Sequence, residues 1–430
     1  MRIRSVTVGT NVSYPAEANH FRTFGRFQAR ARALFADAGL EVQTVRLATQ
    51  PFPEILQNEG PASAVPFARA LEELCQAHGI DYCSIGTVVA TQPENDLAYV
   101  DVIPAVIRET QMAFASALVA SPASGVSLAA IARAAQVIAD VAHTTPQGFG
   151  NLRFAVLANC AAGSPFFPAA FHQGPGHVFS VATEAADLAV DSFARAGTLA
   201  EARENLRTAV EETAQIVEGV CRALETEFGF RFGGIDFSLA PYPEVARSIG
   251  YAIEQLGVDA FGASATLFAV AFTTRALREA RFPRCGFSGL LLPVLEDRRL
   301  AERSAENLFT LDSLLLYSAV CGTGLDTVPL PGDVSVDELA AILLDVATLA
   351  LVADKPLTAR LMPIPGKHAG DVTDFDFPYF ANARILSTRG CGGTRIFENN
   401  HFINLMGGMP GFSRETPAEA GRPDKSGNPR

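Results

Sequence analysis

The amino-acid sequence predicts an α/β fold in which a sheet is covered by helices. Short β-branched runs alternate with longer segments whose apolar residues recur at helical spacing. Hydrophobic residues fill 48% of the 430 positions and charged residues 19%, which fits a well-packed core and argues against global disorder. No fixed-period repeat and no linker divides the chain, so residues 1–410 read as a single domain.

Each element follows from its own pattern. "IRSVTVGT" alternates β-branched residues and opens the chain as a strand. "FRTFGRFQARARALFADAGL" then carries an apolar helical stripe and ends at glycine, and "EVQTVRLAT" returns to strand. The same rhythm joins "ASAVPFARALEELCQAHG" to "DYCSIGTVV", and "SLAAIARAAQVIADVAH" to "LRFAVLANC". "YPEVARSIGYAIEQLG" reads as one further helix, and "VDELAAILLDVATLAL" leads into the strand "TARLMPIP". The longest helix is expected near Thr198–Glu227, with Thr198 and Glu201 placed for a capping box. The last twenty residues, 411–430, are polar and rich in Pro and Gly, and read as a disordered tail.

Charge narrows the partners. Thirty-four basic against forty-six acidic residues leave a net charge of −12, and the basic residues are scattered, so nucleic acid is not an expected partner. The N-terminus lacks the continuous apolar region of a secretory signal, and no run reaches the ~18 apolar residues of a membrane span. Seven widely separated cysteines with no CxxC pair suit reduced thiols, and a cytoplasmic location is expected. A homodimer is the expected assembly.

Four segments that follow apparent strands concentrate chemical groups. In "LANCAAGSPFFPAAFHQGPGH", Asn159 ends a strand and His172 follows a Phe-rich stretch, as either a catalytic imidazole or a structural one. His172 and His177 are five apart and do not share a helical face, so they make a poor metal pair. In "GGIDFSLAPYPE", Asp236 and Ser238 project from one face of a strand, towards a ligand or into a buried network. In "RCGFSGLLLPVLED", Gly286, Ser288 and Gly289 form either an anion-cradling nest of amides or a plain turn. In "DKPLTARLMPIPGKHAGD", Lys355 and Arg360 flank the start of a strand, where cations suit carboxylate or phosphate.

The stretch "VCGTGLDTVPLPGD" sets Cys321 and Asp326 in a turn made by Gly322 and Gly324, with Pro329 and Pro331 blocking a helix. A thiol there becomes a nucleophile if cations lower its pKa; otherwise it is a buried cysteine beside a turn-capping aspartate.

Taken in order, "TVGTNV", "VIPAVIRET", "ANC…SPFFPAAFH", "DFSLAP", "GFSGLLLPVLED" and "CGTGLDTVPLPGD", followed by the basic stretch from Lys355 to Asp371, resemble the DUF711 proteins, also called UPF0210 or PFL-family proteins. The resemblance implies a ten-stranded α/β barrel like that of pyruvate formate-lyase, with helices outside. By position it aligns His172, Cys321, Asp326, Lys355 and Arg360 with the corresponding residues of the family. The glycyl-radical motif near the C-terminus has only "TRGCGG" at 388–393 as a counterpart, without its valine and aromatic residue, so no glycyl radical is expected. The segment 388–413, with Glu398 and His401, departs from the usual family ending.

These readings lead to an enzyme acting on a small anionic metabolite in a barrel-interior cleft. His172, Cys321, Asp326 and Asp236 are the catalytic candidates; Asn159, Ser238, Ser288, Lys355 and Arg360 are the ligand-binding ones. Asp326, Asp333, Asp371, Asp374 and Asp376 supply oxygens that a divalent cation would use. The alternative is a non-catalytic metabolite-binding or regulatory protein on the same scaffold.

Overall fold

The N-terminal alternation folds as strand β1 (Arg2–Thr10), and helix Ala18–Asp37 carries the chain back to β2 (Val42–Thr49), parallel to β1. In the computed structural model, which describes residues 1–91, 97–390, 394–397 and 402–405, this crossover is repeated around one large sheet. The tail expected at 411–430 and most of the divergent segment, Glu398 and His401 included, lie outside the described residues.

The remaining strands are β3 (Tyr82–Val89), β4 (Ala113–Ser121), β5 (Gly125–Ser127), β6 (Phe154–Ala158), β7 (Val178–Glu184), β8 (Arg231–Asp236), β9 (Gly324–Pro331), β10 (Leu357–Ile364) and β11 (Phe402–Ile403). Their order is β8-β7-β1-β2-β3-β4-β6-β10-β9, with β5 and β11 attached beside β4. Five central strands, β1 to β4 and β6, run parallel. At each flank the direction reverses, at β1–β7 and at β6–β10. The mixed α/β architecture is therefore as read. The hydrogen-bonded ladder, however, is not a closed ring: it ends at β8 and β9. Residues 284–293 run between those edges and touch each through isolated parallel bridges, Ile235–Arg284, Leu239–Leu290 and Pro293–Asp326.

Burial explains why the strands read as near-continuous apolar runs. Every residue of β9 and β10 is buried, because helices cover the outer face and side chains from other strands cover the inner one. The outer layer packs Phe21, Phe24 and Phe27 of the first helix against the sheet, and helix Val336–Val352 against helix Leu128–Thr144. The longest helix spans Leu199–Phe228. Thr198 Oγ1 caps it by accepting from Glu201 N, and left-handed Gly229 ends it. Only half of the expected box forms, since the Glu201 carboxylate turns to Gly197 N instead.

Two local expectations are corrected. "YPEVARSIGYAIEQLG" is not one helix but a 3-10 turn, Val245–Arg247, and a helix, Ile249–Gln255. The break sits at Ser248, whose hydroxyl caps Tyr251 N while Asp297 takes that hydroxyl and the amides of Ile249 and Gly250. Likewise the turn around Cys321 ends at Thr323, and Asp326 lies inside β9. Gly324, at φ +105°, makes the entry, and Pro329 and Pro331 are tolerated because β9 is the edge of the ladder.

The six described cysteines are unpaired. Among the described residues no helix is long and apolar enough to cross a membrane.

Candidate anion-binding cavity

The inner face of the sheet encloses a cavity of about 100 Å3, to which β1, β2, β3, β4, β7, β8, β9 and β10 all contribute. Residues distant along the chain meet there because the strands curve around it. A strand whose outer face is covered by a helix can reach a solvent-accessible site only from its inner face, so inward polar residues mark it.

Across this face runs a chain of alternating charges. Arg247 and Gln43 donate to Glu184, Arg4 donates to Glu184 and Glu296, and Arg360 donates to Glu296 and Asp326. Arg360 Nη2 lies 2.8 Å from Glu296 Oε1, and its Nε lies 2.6 Å from Asp326 Oδ1. A register shift in β10 between Ala359 and Leu361, beside Thr327 at φ +42°, turns both partners inward. Burial works against the Arg360 cation, but Asp326 and Glu296 outweigh it and hold its pKa above the ordinary value. Burial would likewise raise Glu296, yet Arg4 and Arg360 bring it below the usual carboxylate range. Asp326 goes the other way: burial, with Glu296 nearby, pushes it up in spite of Arg360. Its second oxygen has no hydrogen-bond partner among the described residues.

Arg46 stands apart. It is half-buried on β2, with Nε donating to Thr44 Oγ1 at 2.8 Å and its guanidinium over the rings of Phe167 and Tyr82 at 5.0 and 5.6 Å. No carboxylate pairs with it among the described residues, and its two terminal nitrogens make no hydrogen bond there. Burial, reinforced by Arg4, pushes its pKa down to about 9, so it remains a cation at neutral pH.

The candidates read from the sequence divide into three groups. Asp236, Ser238, Asp326 and Arg360 line the cavity. Ser288 lies beneath it, and the expected nest of amides forms around the protein's own carboxylate: Phe287 N and Ser288 N donate to Asp236 at 3.0 and 2.8 Å, with Ser238 Oγ at 2.5 Å. Burial nonetheless pushes Asp236 up. His172, Cys321, Lys355 and Asn159 lie elsewhere. His172 lines a separate cavity of about 20 Å3 beside Thr7 and Gly9, its Nε2 2.9 Å from Gly174 O, and burial lowers its pKa. Cys321 is fully buried, and its Sγ accepts from Gly324 N. Lys355 donates to the carbonyls of Ser318 and Cys321, closing the helix Leu311–Ser318. Asn159, at φ +55°, donates to Asp354.

A profile of the family described as "Uncharacterised ACR (DUF711)" matches residues 1–382. The chain belongs to the DUF711 family. Its relatives include the UPF0210 protein of Pyrobaculum arsenaticum, 32% identical over 376 residues that cover 85% of this chain and 83% of the relative. A UPF0210 protein of Methanopyrus kandleri is 32% identical over 358 residues, 78% of this chain and 77% of its own. Another, from Oleidesulfovibrio alaskensis, is 29% identical over 440 residues, covering 95% and 94%.

In this DUF711 chain the aspartates weighed for a cation do not share one metal site. Asp326 is buried on β9, Asp333 and Asp371 contact His368, Asp374 contacts Lys367, and among the described residues no group of three or more His, Cys, Asp or Glu is placed to hold a metal ion. Arg4, Arg46 and Glu296 were missed in the sequence. The signal for Arg46 was present: Thr44 and Arg46 alternate in a strand expected to be covered, the same pattern that singled out Asp236 and Ser238.

Proposed function

We propose that this protein is an enzyme acting on a small organic anion in the cavity, with Arg46 taking the acidic group and Asp326 moving a proton. The observation that carries the reading is the Arg46 guanidinium, half-buried on the cavity wall within the field of Glu296 but in ion-pair contact with no carboxylate among the described residues. An unpaired cation in such a place costs free energy, and a bound anion repays it through two parallel hydrogen bonds. Asp326 suits proton transfer because burial raises its pKa above the ordinary carboxylate value and one oxygen remains open to the cavity.

We also read the enclosure as a ten-stranded barrel like that of pyruvate formate-lyase. Residues 284–293 then serve as the tenth strand. Support comes from their bridges, parallel to both edge strands, and from the two reversals that split the strands into sets of five.

A second reading, binding without turnover, is favoured by His172 and Cys321 lying outside the cavity. The test is a thermal-shift screen of carboxylates and phosphate esters on wild type, Arg46→Gln and Asp326→Asn. We expect at least one anion to raise the wild-type midpoint by about 2 °C or more. Arg46→Gln should abolish that shift, while Asp326→Asn should keep it and lose turnover followed by NMR. A wild type that responds to no anion, or an Arg46→Gln protein that responds as wild type does, would overturn the proposal. Turnover undiminished in Asp326→Asn would remove Asp326 from it.

A further inference from the structure

Resting on the reading of Arg46 as the anion anchor, we infer the class of ligand: a small monoanionic carboxylate with a flat, apolar body, not a phosphorylated metabolite. Charge comes first. Of the three arginines on the cavity, Arg4 and Arg360 are committed to Glu184, Glu296 and Asp326, which leaves one guanidinium for the ligand. The nest of amides at 287–288, the other anion-binding device near the cavity, is filled by Asp236. A second negative charge on the ligand would meet Glu296, held ionised by Arg4 and Arg360, with no uncommitted cation to receive it.

The apolar body follows from the walls. Beneath Arg46, Tyr82, Phe114 and Phe167 form an edge-to-face cluster, with ring centroids 5.3 and 5.2 Å apart. Phe166, which lies under the Arg360 guanidinium at 5.7 Å, forms another part of the lining, together with Phe377. Aromatic walls with one charged anchor are the composition of a site that holds a planar or unsaturated acid. Size agrees with this. The enclosed part of the cavity, about 100 Å3, takes a body on the order of one six-membered ring.

The experiment is isothermal titration calorimetry of the full chain with benzoate, crotonate, acetate, inorganic phosphate and diphosphate, on wild type, Arg46→Gln and Phe166→Leu. We expect benzoate or crotonate to bind at least ~10-fold more tightly than acetate and both phosphates. Diphosphate should gain nothing over phosphate, and Phe166→Leu should narrow the margin over acetate without weakening acetate itself. Phosphate or diphosphate binding more tightly than the apolar acids, or acetate matching them, would overturn the inference while leaving an Arg46-dependent anion site intact. If no anion binds wild type, or if binding survives Arg46→Gln, the underlying reading of Arg46 fails instead.

Discussion

At the scale of single residues, Asp236 shows how a buried carboxylate is held without a cation. Its oxygens take two successive amides and a hydroxyl, and those amides converge because Gly286 (φ +58°) and Ser288 (φ +41°) adopt the left-handed region. Removing the carboxylate would leave buried donors unmet, at about 1–3 kcal/mol each. The same geometry makes Gly286 irreplaceable, since a Cβ there would lie 2.1 Å from Asp236 Oδ2. Gly366 is the control, because it has a positive φ of 79° but nothing within 4 Å of the added carbon. We expect Gly286→Ala to cost about 3 kcal/mol in urea denaturation and Gly366→Ala about 1 kcal/mol, the backbone component alone. Equal losses at the two positions would show that the contact with Asp236 contributes nothing.

Among the elements, legibility tracked how local the deciding interaction is. The helix Leu199–Phe228 is readable almost to the residue because its amphipathic stripe and its threonine cap are local to it. Strand β4, "AFASALVAS", escaped notice because a strand buried on both faces loses its alternation, and its small residues carry little β propensity. The split at Ser248 was illegible for another reason: Asp297, which holds it, comes from a different part of the chain. Caps are where local reading can be checked most directly. Thr198→Ala should destabilise the protein by about 1 kcal/mol, as the amide of Glu201 loses its acceptor at the start of a thirty-residue helix. Loss of helicity on heating, followed by circular dichroism, measures this, and an unchanged midpoint would mean that the Gly197–Glu201 contact caps the helix alone.

For the whole molecule, the chain of charges from Arg247 to Asp326 joins β7, β1, β10 and β9 with the segment beyond Pro293, and so ties the two flanks of an unclosed ladder across its inner face. This is also why only half of the site was visible in the sequence. Asp236 and Ser238 announce themselves within one short stretch, whereas Arg4 and Glu296 acquire meaning only when a strand and a turn 292 residues apart are brought together. Glu296, 5% exposed, is the hinge of that chain, for it accepts from both Arg4 and Arg360. Glu296→Gln would keep the volume but leave the buried Arg360 and the partly buried Arg4 short of a counter-charge, an expected loss of about 3 kcal/mol at pH 7. The pH dependence tests the cause. Because Arg4 and Arg360 outweigh burial and hold the folded-state pKa of Glu296 below its ordinary value, the unfolded chain binds the proton more readily. Its stabilisation is therefore complete above the unfolded value of about 4.3 and disappears as pH falls through the folded one. The gap in urea midpoint between wild type and Glu296→Gln should be constant from pH 7 to 5 and shrink below about 4. Asp326→Asn should cost less at neutral pH, since burial raises Asp326 and its ionised form is already disfavoured in the folded protein. A gap for Glu296→Gln that does not change with acid would mean that the residue contributes shape to this junction and not charge.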